Sequence, residues 1–253
     1  MINVLWTALG VGGATVIGSL IGFLFKNPSQ KFNDIILSFA AGVMLAAAIV
    51  GLIIPSLDSQ IFGNWAILIT SAGVIVGAIC LNLIDRLVPH MHRLTGIDGE
   101  KHPEKTATLN KVLLFVIAIA IHNLPEGIAA GVSFGTGNTT HAFTVAGGIA
   151  LQNIPEGMVI IAPMIASGMS KKRTFLIALS TGLIEVVGTF IGYFFASISA
   201  VVLPIALAIA GGTMLYVISD EMIPETHAHG NQKWATYALL IGFCVMLVLD
   251  FFL

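Results

Sequence analysis

Eight runs of about 20 apolar residues, parted by short polar breaks, divide the chain from end to end. They lie near Val4–Phe25, Phe32–Ile54, Trp65–Val88, Val112–Phe134, Phe143–Ser167, Phe175–Phe195, Val201–Ser219 and Trp234–Phe252. Runs of this length cross the hydrocarbon core as helices, because only a helix satisfies its backbone groups within one segment. The pattern predicts an all-α integral membrane protein of eight transmembrane helices, one transmembrane domain over residues 1–253. Two connections are longer than the rest, Pro89–Lys111 and Asp220–Lys233, and the others are tight turns. The first run has no basic residue ahead of it and is too long for a signal core, so it reads as the first span.

Charge tests this count. The breaks after the first, third, fifth and seventh runs share one side of the membrane if there are eight spans. They hold Lys26, Lys31, Arg86, Arg93, Lys101, Lys105, Lys111, Lys171, Lys172, Arg173 and Lys233, all 11 Lys and Arg residues of the chain. The other side has Asp58, His141 and Asp250. The positive-inside rule makes the basic side cytoplasmic and puts both termini outside, in a multi-pass protein of the cell (inner) membrane.

Composition agrees. The chain is 57% hydrophobic and 9% charged, with mean hydropathy +0.96, where a soluble domain carries about 25% charged residues. No basic patch points to nucleic acid. Cys80 and Cys244 stand in apolar runs, where they read as small buried hydrophobes and form neither a disulfide framework nor a thiolate zinc cluster. The pairs Gly18/Gly22, Gly73/Gly77, Gly127/Gly131 and Gly188/Gly192 fit a homodimer seam or close packing within one bundle, and the second is the expected reading.

Candidate chemistry lies mid-span. The fourth run contains His122-Asn123-Leu124-Pro125-Glu126-Gly127 and the fifth Gln152-Asn153-Ile154-Pro155-Glu156-Gly157, with five of six positions alike in type. His122 and Glu126 are four apart, as are Gln152 and Glu156, so each pair shares a helix face. Pro125 and Pro155 leave the carbonyls of Ile121 and Leu151 without their helical donor, which adds a backbone oxygen where the ligand-type side chains sit. Glu185 supplies a third mid-span carboxylate. Each charge at that depth costs roughly 2.5–3.5 kcal/mol on insertion scales, so three carboxylates call for a cation or for protons. Met44, mid-span in the second run, offers a soft sulfur or simply fills the core. Oxygen ligands with one imidazole suit Zn²⁺, and Fe²⁺, Mn²⁺ and Cd²⁺ are compatible with the same set.

The paired motifs resemble the ZIP (Zrt-, Irt-like) family of metal transporters, over the whole chain. His122, Asn123, Pro125, Glu126 and Gly127 match the family pattern on helix four, and Asn153, Pro155, Glu156 and Gly157 match it on helix five. Gln152 stands where histidine is common, as in the GufA-like bacterial branch. The resemblance implies zinc as transported substrate, carried toward the cytoplasm, and a 3+2+3 bundle whose first and last three helices are inverted repeats. It also implies a binuclear site. Met44, His122, Glu126, Gln152 and Glu156 surround one metal, and Asn123, Glu126, Asn153, Glu156 and Glu185 surround the other, so that Glu126 and Glu156 bridge. Gln152, a neutral amide, loosens zinc selectivity, so a broad-specificity transporter of Fe, Mn, Cd and Zn is the alternative. The family's cytoplasmic histidine loops suggest an exit relay, for which Asp220, Glu221 and Glu225 are the candidates, with His90, His92, His102, His227 and His229 as further loop histidines. Asp58 and His141 are the ionisable groups near the outer mouth. A membrane-embedded metal-dependent hydrolase is the reading from another class. The chain lacks a His-Glu-x-x-His pair and any nucleophile motif, so a transporter and not an enzyme is expected.

Overall fold

The computed structural model describes residues 1–25, 28–87, 121, 123–166 and 169–252. His122, the loop histidines His90, His92 and His102, and the first part of the fourth span lie outside them. All regular structure among the described residues is helical. We name the helices α1 (Ile2–Gly22), α2 (Gln30–Ala46), α3 (Ala66–Leu87), α4 (residues 123–133), α5 (Thr139–Val159), α6 (Lys171–Ala196), α7 (Val202–Val217) and α8 (Gln232–Phe252). Side-chain caps set three of the starts. Ser29, Asn138 and Ser170 accept hydrogen bonds from the backbone N–H of Phe32, His141 and Arg173, which satisfies donors that a helix start leaves orphaned.

Seven of the described helical segments are long and apolar enough to cross a membrane. Their surfaces are inverted relative to a soluble protein. Trp6, Ile75, Ile79, Phe194 and Leu240 are exposed, whereas Thr15, Asn123, Glu126, Gln152, Asn153 and Glu185 are buried. Apolar side chains face lipid at no cost, so polar groups collect where protein meets protein.

Two helices run further than hydropathy predicts. α2 continues as a π-helical stretch Ala47–Ile53 and a short turn Ile54–Leu57. α7 continues likewise through Ile218–Met222 and Ile223–His227. The seventh helical segment therefore reaches His227 instead of ending near Ser219, and the polar stretch expected to begin at Asp220 is half helix. Charged residues in its last turns hide that continuation from an apolar-run reading. In each case a proline, Pro55 or Pro224, opens the short turn. Proline has no N–H to give the previous turn, and a π stretch widens the helix before it.

The helices pack as two sets. α1 lies against α5 and α6, while α2 packs with α8 and α3 with α7. α4 joins the first set through α6. The contacts are backbone to backbone. A Cβ on Gly127 would stand 2.3 Å from the carbonyl oxygen of Glu185, and one on Gly131 would stand 2.0 Å from that of Thr189. Gly188 and Gly192 meet α4 reciprocally at Leu124 and Ile128. Gly18 and Gly22 meet Ile154 and Met158, and Gly77 meets Ile209. All four predicted glycine pairs thus serve packing within the bundle. Without a hydrophobic drive between helices in lipid, such close approach is what holds them together. Partners advance in step along α1 and α5, and along α4 and α6, so each of these pairs runs parallel.

Cys80 and Cys244 are exposed, not buried. In a membrane an apolar run supplies the lipid face as well as the core, so an apolar neighbourhood in sequence does not imply burial.

Candidate metal centre

The described residues of both motifs reach the interior on helices. Neither α4 at Pro125 nor α5 at Pro155 is interrupted, and α5 ends only at Val159. Gln152 and Asn153 of α5 are both fully buried. Glu126 on α4 and Glu185 on α6 are fully buried too, Asn123 is nearly so, and Glu156 is partly buried.

Glu185 is enclosed by donors. Oε1 accepts from Thr15 Oγ1 at 2.5 Å and from Asn123 Nδ2, and Oε2 accepts from Asn153 Nδ2 at 2.6 Å. Asn153 Nδ2 also lies 3.4 Å from the carbonyl oxygen of Val11, and its Oδ1 accepts from Gln152 Nε2 at 3.3 Å. One residue from each of α1, α4 and α5 therefore converges on a single carboxylate of α6.

Glu126 is the opposite case. Both of its carboxylate oxygens are buried and have no hydrogen-bond donor among the described residues. The side chain of Gln152 lies beside it, without hydrogen-bond geometry, and its amide Oε1 is also buried and unpartnered. The carboxyl groups of Glu156 and Glu185 lie close enough to act on Glu126 electrostatically. Three acceptor oxygens on two neighbouring side chains thus share one dry place with further carboxylates. Buried acceptors without donors are costly, and a cation satisfies several at once.

Asn123, Gln152, Asn153 and Glu185 are brought together by hydrogen bonds, with Glu126 beside them. Met44 is wholly buried in the main apolar cluster, in a helix that packs on α5. His122 lies outside the described residues. Among the described residues no three His, Cys, Asp or Glu side chains group closely enough to hold a metal. Asp220, Glu221 and Glu225 sit apart, on the π stretch and last turn that extend α7, with Asp220 and Glu225 exposed. His229 Nδ1 is 3.1 Å from Asp34 Oδ1.

Sequence reasoning missed Thr15. The signal is an internal repeat at an offset of 170 residues. Gly12, Thr15, Gly18, Ser19 and Gly22 of α1 have the spacing of Gly182, Glu185, Gly188, Thr189 and Gly192 of α6. The local bonds repeat as well. Ser19 Oγ donates to the carbonyl of Thr15, and Thr189 Oγ1 donates to that of Glu185, each at 2.9 Å. Gly157 packs on the Thr15 carbonyl as Gly127 packs on that of Glu185, with a Cβ placed at 2.3 Å in both. The motif glycines are therefore contacts that fix the helices carrying Thr15 and Glu185.

Residues 89–250 match the family described as ZIP Zinc transporter. The chain is 40% identical over 247 residues to the zinc transporter GufA of Myxococcus xanthus, covering 96% of each protein. It is 39% identical over 253 residues to the zinc transporter ZIPB of Bordetella bronchiseptica, covering 94% of this chain and 77% of that one. The zinc transporter ZupT of Chlorobium chlorochromatii is 32% identical over 251 residues. The likeness to GufA agrees with the branch that Gln152 suggested. The chain belongs to the ZIP family of zinc transporters.

Proposed function

We propose that this protein carries divalent metal ions, zinc foremost, across the cell membrane toward the cytoplasm. The path runs through a binuclear site at mid-membrane on α4, α5 and α6. The observation that carries the reading is the Glu126 carboxylate, buried with both oxygens lacking a donor beside the equally unpartnered Oε1 of Gln152. Met44, His122, Glu126, Gln152 and Glu156 take one metal. Asn123, Glu126, Asn153, Glu156 and Glu185 take the other, with Glu126 and Glu156 bridging. The amide nitrogens of Asn123 and Asn153 already donate to Glu185, which supports the use of amide oxygens as ligands.

The bundle has eight spans with both termini outside, arranged as 3+2+3 with inverted repeats. The matched spacing of α1 and α6, the matched π stretches of α2 and α7, and the interchange of packing partners support that arrangement. Parallel α1 and α5 require an odd number of crossings between them, which supports a complete fourth span. Asp220, Glu221 and Glu225 form an exit relay on the cytoplasmic side. Gln152 supports a second reading, a broader transporter that also takes Cd²⁺, Fe²⁺ and Mn²⁺, because an amide discriminates less than an imidazole.

The test is zinc uptake into proteoliposomes. Glu126→Ala and Glu156→Ala should each abolish uptake while the proteins insert and remain monodisperse. Near wild-type uptake by either folded variant overturns the bridging role.

A further inference from the structure

We infer that Thr15 on α1 is a positioning residue for metal: its hydroxyl anchors one oxygen of Glu185 so that the other is presented as the ligand atom. The inference rests on the binuclear reading above and deepens it.

The geometry is specific. Thr15 is buried and its Oγ1 stands 2.5 Å from Glu185 Oε1. A carboxylate oxygen accepts along about two lone-pair directions. Among the described residues, Oε1 has two donors, Thr15 and Asn123, and is full, whereas Oε2 has Asn153 alone. The open acceptor direction is therefore on Oε2. Of the three donors, Thr15 alone is not a proposed ligand, so only its bond can persist unchanged when metal displaces or reorients the amides. Its position is also fixed from behind. Gly157 packs against its carbonyl oxygen, and Gly12 packs against Gly182 one turn before Glu185. α1 cannot slide without opening these contacts. The repeat gives the same position opposite roles: Thr15 in α1 donates to the carboxylate that its counterpart in α6 supplies.

Partners that orient a metal ligand from outside typically contribute about 10- to 100-fold in metal affinity. The test is titration of the full chain in detergent with zinc alone, comparing Thr15→Val, Thr15→Ala, Thr15→Ser and Glu185→Gln. Valine keeps the shape of threonine without the hydroxyl, alanine removes both, and serine keeps the donor. Thr15→Val and Thr15→Ala should weaken zinc binding by about 10-fold or more, with Thr15→Ser within about 3-fold of wild type. In proteoliposomes the same loss should appear as a raised KM. A packing role alone predicts the reverse order, since valine preserves the fit and serine leaves a gap. Wild-type zinc affinity in either hydroxyl-free variant, with Glu185→Gln weakened, overturns the role of Thr15 and leaves the site intact. Wild-type affinity in Glu185→Gln overturns the reading of the site itself.

Discussion

Gly127 is proposed to bind nothing, yet its replacement by alanine should impair zinc binding. The added Cβ would stand 2.3 Å from the carbonyl oxygen of Glu185, and the next atoms it meets, at 2.9 Å, are the backbone C and Cα of the same residue. Backbone cannot rotate aside as a side chain does, so α6 must retreat about 1 Å to recover ordinary contact. The gain in helix propensity from glycine to alanine is only about 1 kcal/mol. Overpacking of this kind costs about 1–3 kcal/mol, so the clash wins or at best cancels. The larger consequence is local. A retreat of about 1 Å from α4 stretches the bond that Asn123 of α4 donates to Glu185 and moves the carboxylate relative to Thr15 and Asn153. Zinc affinity measured by calorimetry on detergent-solubilised protein should fall by about 10-fold or more, in line with loss of an orienting partner. Gly77→Ala is the control. Its Cβ would stand 2.2 Å from the carbonyl of Ile209 in the other set of helices, so it should lower the melting temperature with zinc affinity unchanged. A Gly127→Ala protein that binds zinc as tightly as wild type would refute the claim that helix approach sets ligand geometry here.

Gln152→His should raise zinc affinity relative to cadmium and manganese, because it offers imidazole where the chain has an amide oxygen. An unchanged affinity ratio in a metal-competition assay would remove Gln152 from the ligand set. Asp34, almost wholly buried at the start of α2, accepts from Gln30 and Asn231 and lies 3.1 Å from His229 Nδ1. Asp34→Ala strands these groups, at a cost of about 1–3 kcal/mol. Limited proteolysis should then cut the segment around His229 faster, and an unchanged cleavage rate would show that Asp34 does not tie it down.

Hydropathy alone determined that the chain is a helical membrane protein, and helical spacing alone put Gln152 and Glu156 on one face of their helix. Both are local properties. An apolar run is matched to a bilayer residue by residue, and side chains four apart share a face whatever lies opposite. The sequence likewise marked Glu126, Glu156 and Glu185 as mid-span carboxylates that call for a cation or for protons. Which helices meet was not legible in the same way. Lipid and leucine are equally apolar, so the pattern of hydrophobic positions carries no preference for one neighbour over another. That choice fell to glycines whose partners, Thr15 for Gly157 and Glu185 for Gly127, lie far away in the chain. Thr15 looks like an unremarkable threonine in an apolar run, and only the docking of α1 on α5 and α6 brings its hydroxyl to Glu185. The extension of α7 to His227 and the exposure of both cysteines have a related cause: they depend on which side of a helix meets protein, lipid or water, and that side exists only once the bundle has formed.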